Sequence, residues 1–356
     1  MELASELMCA KTLSRSALVR FHGDADGISA AFAITSILPY AKAYQQNSAV
    51  YTVRDAFRDF SAIGQESNPL VIFVDFGSSE SSSEGIKILN DGGVEVIVID
   101  HHPSTVTSSD FRNAKIFNPF SLSEDGSRYP AGYLCAEIAF ACGFLAKDKA
   151  LELAKISCAG DKSKILDPLT QSDIEKALVL DFVSAHTSFG NNLDFYKNVM
   201  AKDELFRSLF KQAEESISEA AKKAMDGMKS TKIKIENKPT DVNQLEIISF
   251  SLDRIVTKGE WPPSGKITTR VFDILNEEAK STKPILVIGY NERSIIMRLN
   301  DSAVALGVTA NILAEKMLAA MPDFVEGGGG HDRAGAIRVR SGFVKDVLGQ
   351  LMAEIS

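Results

Sequence analysis

Asp100-His101-His102 closes the apolar run from Val94 to Ile99, which puts an acid and two imidazoles where a buried strand would meet solvent. Two other apolar runs end the same way. Ala17-Leu18-Val19-Arg20-Phe21 leads into His22-Gly23-Asp24-Ala25-Asp26-Gly27, and Leu70-Val71-Ile72-Phe73-Val74 leads into Asp75-Phe76-Gly77. Carboxylate and imidazole without thiolate suit Mn2+ or Mg2+, with Co2+ as an alternative, better than structural zinc. Six or seven such ligands exceed what one ion with open positions needs. Two ions sharing carboxylates would activate water and stabilise in-line displacement at phosphorus.

Each residue alone has an ordinary explanation. Asp-Ala-Asp-Gly is commonly a solvated turn, Asp75 could cap the next helix as Ser78 or Ser79 could, and His101 and His102 could sit in a surface loop. Asp161 closes a helical stretch, where an anion is disfavoured by the helix dipole. The joint pattern outweighs these readings. Four of the five histidines, 22, 101, 102 and 331, fall in candidate site segments, and only His186 is left without a role.

The elements that must position these residues read as a parallel α/β sheet up to about residue 185, because continuous Val/Ile runs imply strands covered by helices on both faces. Helices are expected at 28–38, 79–90, 129–145 and 149–159, and a further strand at 50–54. His22, Asp24, Asp26, Asp75, Asp100 and His101 would then gather at the carboxyl ends of the strands, where open α/β sheets bind ligands. Asp161, followed by Lys162-Ser163-Lys164, would complete the set. Residues 203–229 read as one long helix. A second α/β unit follows, with strands near 231–236, 245–250, 285–290, 294–299 and 335–340 and helices near 267–280, 307–320 and the C-terminus. The run Gly327-Gly328-Gly329-Gly330 is expected as a loop of bare backbone. With His331, Asp332 and Arg333 beside it, that loop suits an anion such as phosphate. Arg298 is its expected partner, with Arg338 and Lys266 as further candidates. Trp261-Pro262-Pro263 reads as a rigid turn whose indole packs.

The chain has 356 residues and a formal net charge of −8, which excludes coating of nucleic acid through bulk electrostatics. The excess is confined to residues 1–250, with 26 basic and 34 acidic side chains; residues 251–356 carry 13 of each. A bound polyanion would therefore rely on metal ions and on local basic residues of the C-terminal part. No apolar run is long enough to span a membrane, the acidic start does not read as a secretory signal, and the expected location is the cytoplasm. Cys9, Cys135, Cys142 and Cys158 include no Cys-x-x-Cys pair and read as reduced thiols, with Cys135 and Cys142, seven apart in a helical stretch, as core packing.

The set His22-x-Asp24-x-Asp26-Gly27, Asp75, Asp100-His101-His102 and Asp161 resembles the four motifs of the DHH phosphoesterase superfamily, and Gly327-Gly328-Gly329-Gly330-His331 resembles the signature of the accompanying DHHA1 domain. The resemblance implies a parallel-sheet catalytic domain (residues 1–185), a helical connector (186–229) and a smaller α/β DHHA1 domain (230–356). It implies that Asp26, Asp75, His101 and Asp161 bind metal, that His22 and Asp24 hold the second ion with Asp75 as bridge, and that Asp100 and His102 are catalytic, His102 beside the phosphate. Gly328, Gly329, Gly330, His331, Arg298 and Arg333 would bind substrate. The function implied is a Mn2+-dependent exonuclease of RecJ type on single-stranded DNA, RNA or short oligonucleotides. Replication or repair proteins are its expected partners. The alternatives are a cyclic-dinucleotide or pApA phosphodiesterase, a nucleotide phosphatase, or an inactive Cdc45-like replication scaffold.

Overall fold

The structure is a computed structural model that describes residues 2–104, 106–122, 126–187, 193–234, 244–257, 259–279 and 283–355. It forms two compact units, Met1–Phe210 and Lys211–Ser356. The elements of the first are α1 (Glu2–Thr12), β1 (Ala17–His22), α2 (Ala25–Ile37), β2 (Lys42–Gln46), α3 (Val53–Ile63), β3 (Leu70–Val74), α4 (Ser83–Asp91), β4 (Glu95–Ile99), β5 (Ala114–Phe117), α5 (Ala131–Ala141), α6 (Lys147–Asp161), α7 (Gln171–His186) and α8 (Leu193–Ala201).

The five strands run in parallel in the order β2-β1-β3-β4-β5. Both faces are buried, as the apolar runs require. Val19, Phe21, Ile72, Val74, Ile97 and Ile99 enter a core with α2, α5, α6 and α7, while Leu18, Val71, Phe73, Val96 and Val98 enter another with α3 and α4. Strand order reverses between β1 and β3, and this is the switch point at which such sheets bind ligands.

The expected strand at 50–54 is not there. Thr52 instead opens α3, with a capping box in which Thr52 and Asp55 satisfy each other's backbone N–H groups. The edge strand lies earlier, at Lys42–Gln46. Its polar sequence hid it: Gln45 and Gln46 are buried, but their amides are satisfied by Ser184 and Thr187 carbonyls and by Val50 O and Asp55. Cys135 and Cys158 are buried free thiols, in keeping with packing roles.

The division between the units falls inside α9 (Asp203–Met225). Phe206, Leu209 and Phe210 pack on the first core, whereas Ala220, Ala221 and Ala224 belong to a core of the second. The helix ends at Met225, short of residue 229, where β6 begins. The second unit comprises β6 (Lys229–Lys234), β7 (Gln244–Ser251), α10 (Ser264–Glu278), β8 (Ile285–Asn291), β9 (Ser294–Leu299), α11 (Asp301–Ala305), α12 (Ala310–Ala320), β10 (Val325–His331), β11 (Ala334–Val339) and α13 (Val344–Ile355). Its six-stranded sheet, β10-β11-β9-β8-β7-β6, is mixed, with β7 and β8 parallel and the other neighbours antiparallel. Trp261 donates to Ser216 Oγ at 2.8 Å and packs as expected. Among the described residues no helix is long and apolar enough to cross a membrane.

One buried ion pair ties the sheet to α3. Arg20, on β1, lies beside Asp59 with Nε–Oδ2 at 2.9 Å, and Tyr51 Oη donates to the same carboxylate at 2.8 Å. Removing one partner of a buried pair leaves an uncompensated charge. Asp59→Ala is therefore expected to lower the unfolding free energy by about 3–5 kcal/mol, read as a fall in the urea midpoint at unchanged slope.

Candidate metal centre

His22 is the last residue of β1, and Asp24 caps α2 by accepting the Gly27 N–H at 2.9 Å. Only glycine fits at position 27, in the first turn of α2, where a Cβ would lie 2.3 Å from His22 O. Asp26 follows in the first turn of α2 and is fully buried. Asp75 leaves β3 with a φ of +64°, a left-handed conformation that Asp tolerates better than most side chains. Its N–H is fixed by Ile99 O at 2.8 Å. Asp100, His101 and His102 follow β4 directly, and Asp161 is the last residue of α6.

These side chains converge in two groups that share Asp75. His101 Nε2 lies 2.9 Å from Asp161 Oδ2, 3.3 Å from Asp75 Oδ1 and 3.6 Å from Asp26 Oδ2. His22 Nδ1 lies 2.7 Å from Asp24 Oδ2 and 3.2 Å from Asp75 Oδ2. The sets Asp26–His101–Asp161 and His22–Asp24–Asp75 each offer ligand atoms within 4.8 Å of one another.

The site's own atoms test whether a divalent cation fits. His101 Nδ1 lies 3.1 Å from Ser127 O and must donate to it, which leaves a lone pair on Nε2 facing three carboxylates. Neither His101 Nε2 nor Asp75 Oδ1 has a hydrogen-bond partner among the described residues, although both are buried. Buried lone pairs facing one another require either an extra proton or a cation. Burial, followed by the charges of Asp75 and Asp161, pushes Asp26 well above the ordinary carboxylate range. Burial and Asp24 push Asp75 up as well. Burial opposes protonation of His22 and His101, but Asp24 outweighs it at His22, and Asp161 with Asp75 outweighs it at His101, so both rings are raised. The group thus retains protons that divalent ions would displace, and the donor set fits such ions.

Asp100 differs from the other carboxylates. Its Oδ2 accepts from Ser78 N at 3.0 Å and Ser78 Oγ at 2.7 Å; its Oδ1 accepts from His101 N at 2.8 Å, His102 N at 3.2 Å and His102 Nδ1 at 2.8 Å. Although burial disfavours the anion, His102 and Ser78 hold Asp100 below the usual carboxylate range. Both its oxygens accept from protein donors, one of them His102 Nδ1, so Asp100 fixes the His102 ring. His102 is 52% exposed and its pKa is raised, burial being outweighed by Asp100. With Nδ1 committed to Asp100, Nε2 is the nitrogen left for another partner.

Four supports were missed in the sequence. The N-terminus of α5 donates Ala131 N–H and Gly132 N–H to Asp26 at 2.9 and 2.7 Å, and Ser157 Oγ donates to it at 2.5 Å. Ser78 braces Asp100, and Asp181 of α7 accepts the Ala25 N–H. Pro130-Ala131-Gly132 carried the one readable signal, a proline and small residues opening a helix. His186 binds Phe182 O through Nδ1 at 2.7 Å and takes no part. An apolar cavity of about 390 Å3 between α2, α6, α7 and α8 contains none of the cluster.

In the second unit the glycine run is not a loop but part of β10, paired antiparallel with β11. Glycine's lack of a side chain masked the strand pattern. Gly328 faces Ala314 of α12, whereas Gly327 and Gly329 look onto open space; Gly330, at φ +145°, lies where a Cβ would strike Ala334 O. The register sets His331 opposite Ala334, which in turn lies opposite Arg298. Half-buried Arg298 donates to Thr269 Oγ1 at 3.0 Å and Met297 O at 2.8 Å. Arg333 is exposed and paired with Asp301. The His331 side chain lies outside the described residues.

Residues 17–160, within the first unit, match the model of the DHH family, N-terminal domain. It is 24% identical over 412 residues to an uncharacterized protein of Methanocaldococcus jannaschii, covering 99% of this chain and 53% of the relative, so it spans about half that protein's length. In structure it resembles the solved DHH domain of a member of a ribosomal-protein family, with a TM-score of 0.80 at 22% identity, over 100% of this chain and 90% of the other. It also resembles RecJ of Thermus thermophilus in complex with Mn2+, with a TM-score of 0.62 at 14% identity, over 99% of this chain and 54% of that one.

The close approach of α5 to Asp26 supplies a test. A Cβ at Gly132 would lie 2.9 Å from both Asp26 O and Asp26 Oδ1. Gly132→Ala is expected to weaken Mn2+ binding by about 10–100-fold, the usual scale for disturbing a ligand's supporting shell. Calorimetric titration reads the change, and circular dichroism checks that the fold persists.

Proposed function

We propose that the chain is a two-metal phosphodiesterase of RecJ type that removes mononucleotides from the ends of single-stranded DNA, RNA or short oligonucleotides. The observation that carries the reading is the pair of ligand groups joined by Asp75, with the Asp100–His102 dyad beside them. Likeness to Mn2+-bound RecJ supports Mn2+ as the first choice, with Mg2+ or Co2+ as alternatives. On this reading Asp26, His101 and Asp161 hold one ion, and His22 and Asp24 hold the other, with Asp75 between them.

Two divalent ions there would supply Lewis-acid charge and a water of lowered pKa. The protein's part is positional. The α5 N-terminus and Ser157 fix Asp26, and Ser127 O fixes the His101 ring. Asp100 accepts from Nδ1 of His102 and favours the doubly protonated ring, whose Nε2–H would donate to a phosphate oxygen and pass its proton to the departing group. Substrate recognition is assigned to the second unit, to Gly328, Gly329, Gly330, His331, Arg298 and Arg333. The backbone of β10 and the Arg298 guanidinium would grip a phosphate there. The cytoplasm, with replication or repair proteins as partners, completes the proposal.

The test is hydrolysis of end-labelled DNA and RNA from dinucleotides to about 30 nucleotides, beside pApA and cyclic di-AMP, with and without Mn2+. The expected result is Mn2+-dependent release of mononucleotides that Asp75→Ala abolishes and His102→Ala reduces by roughly 10²–10⁴-fold. Preference for pApA or cyclic di-AMP would shift the assignment to a dinucleotide phosphodiesterase. Absence of Mn2+-dependent turnover on every substrate would leave the Cdc45-like scaffold.

A further inference from the structure

The helix α7 lies beyond the residues 17–160 that match the family model, yet it holds the loop that carries Asp24. Asp181 Oδ1 accepts the Ala25 N–H at 2.8 Å, and Ser184 Oγ donates to Gly23 O at 2.7 Å. From the other side Gln46 O accepts the Gly23 N–H at 2.9 Å. Gln45 Nε2 links the two sides by donating to Ser184 O at 3.0 Å and Thr187 O at 2.8 Å. Gly23 is pressed into this assembly, since a Cβ there would fall 2.7 Å from Gln45 Nε2. Gly23, Asp24 and Ala25 are thus pinned between the edge strand β2 and α7.

The contact at Ala25 has a physical logic. Ala25 opens α2, and its N–H is one of the first-turn donors that have no acceptor within the helix. Asp24 caps the Gly27 N–H, and Asp181 takes the Ala25 N–H. A carboxylate near an acidic cluster is electrostatically costly, and a helix N-terminus is where that cost is offset. The supports are also unequal. Asp26 has tethers of its own in Ala131, Gly132 and Ser157, whereas the backbone that carries Asp24 is held by Asp181, Ser184 and Gln46.

We propose that Asp181 and Ser184 are positioning residues whose clamp on Gly23 and Ala25 sets the affinity of the His22–Asp24–Asp75 group for its ion, leaving the Asp26–His101–Asp161 group largely untouched. The inference rests on the two-ion reading of the site and concerns only how this chain holds one half of it.

The experiment is calorimetric titration of Mn2+ into the wild-type chain and into Asp181→Ala, Asp181→Asn and Ser184→Ala. Amide exchange of the segment around Ala25 is measured in parallel without metal. Asp181→Ala should weaken one of two Mn2+ steps by about 10–100-fold and speed exchange around Ala25. Asp181→Asn, which keeps an acceptor oxygen, should restore both. Ser184→Ala should weaken the same step to a lesser degree, and it carries the test if Asp181→Ala does not fold. A wild-type-like isotherm for both alanine variants overturns the clamp while the metal centre stands. Equal weakening of both steps, with Asp181→Asn no better than Asp181→Ala, also overturns it. A wild-type chain that takes up no Mn2+ overturns the two-ion reading itself.

Discussion

Repulsion among Asp26, Asp75 and Asp161 is the constraint around which the first unit is arranged. Two of these carboxylates are essentially inaccessible to water, and all three lie within 3.6 Å of one imidazole nitrogen. Two like charges about 4 Å apart repel by roughly 4 kcal/mol even at an effective dielectric of about 20. A fold that keeps such a group must supply positive potential. The parallel sheet does so through its geometry: strand after strand delivers its C-terminal end to one edge, and the N-termini of α2 and α5 meet them there. Helix termini and one serine satisfy some of the oxygens, but not Asp75 Oδ1 or His101 Nε2. The remaining deficit is what gives the cluster its affinity for divalent cations.

Comparison of Asp26 with Asp100 shows which effect prevails. Both are buried and both accept several hydrogen bonds. Asp100 faces an imidazole and is held below the carboxylate range, whereas Asp26 faces two carboxylates and is driven above it despite its backbone donors. Burial pushes both up; at Asp100 the hydrogen bonds and charge of His102 with the donors of Ser78 outweigh it, whereas at Asp26 the charges of Asp75 and Asp161 add to it. The two aspartates differ accordingly: Asp100 is held as an anion that orients His102, and on the proposed function Asp26 would be the one to bind a cation.

How much of this was legible follows from where the information lies. The runs that became β1, β3 and β4 were plain because a strand covered on both faces must be apolar throughout, and the ligands follow those strands directly. β2 was obscured because Gln45 and Gln46 are buried with their amides paired, Gln45 to distant carbonyls and Gln46 to Val50 O and Asp55, which a hydropathy pattern cannot register. Ser157 and Asp181 could not be found in the sequence: their partners Asp26 and Ala25 lie more than a hundred positions away, and neither residue type is unusual on a helix. Chemistry placed at a strand's own end was readable, and chemistry delivered across the fold was not.

The glycine run shows the same limit and carries an argument about substrate. Each glycine inside a strand costs about 0.5–1 kcal/mol relative to alanine, and β10 contains four in succession. Packing accounts for only part of this. Gly328 must clear Ala314, and Gly330 could not take a side chain, but Gly327 and Gly329 face open space and could. Bare backbone on an accessible strand face, where sterics do not demand it, is what close approach of a ligand requires. The row from His331 through Ala334 to Arg298 sets an arginine two strands across from β10 in the same register. On the proposed function, a phosphate grip would account for the two glycines that packing leaves unexplained.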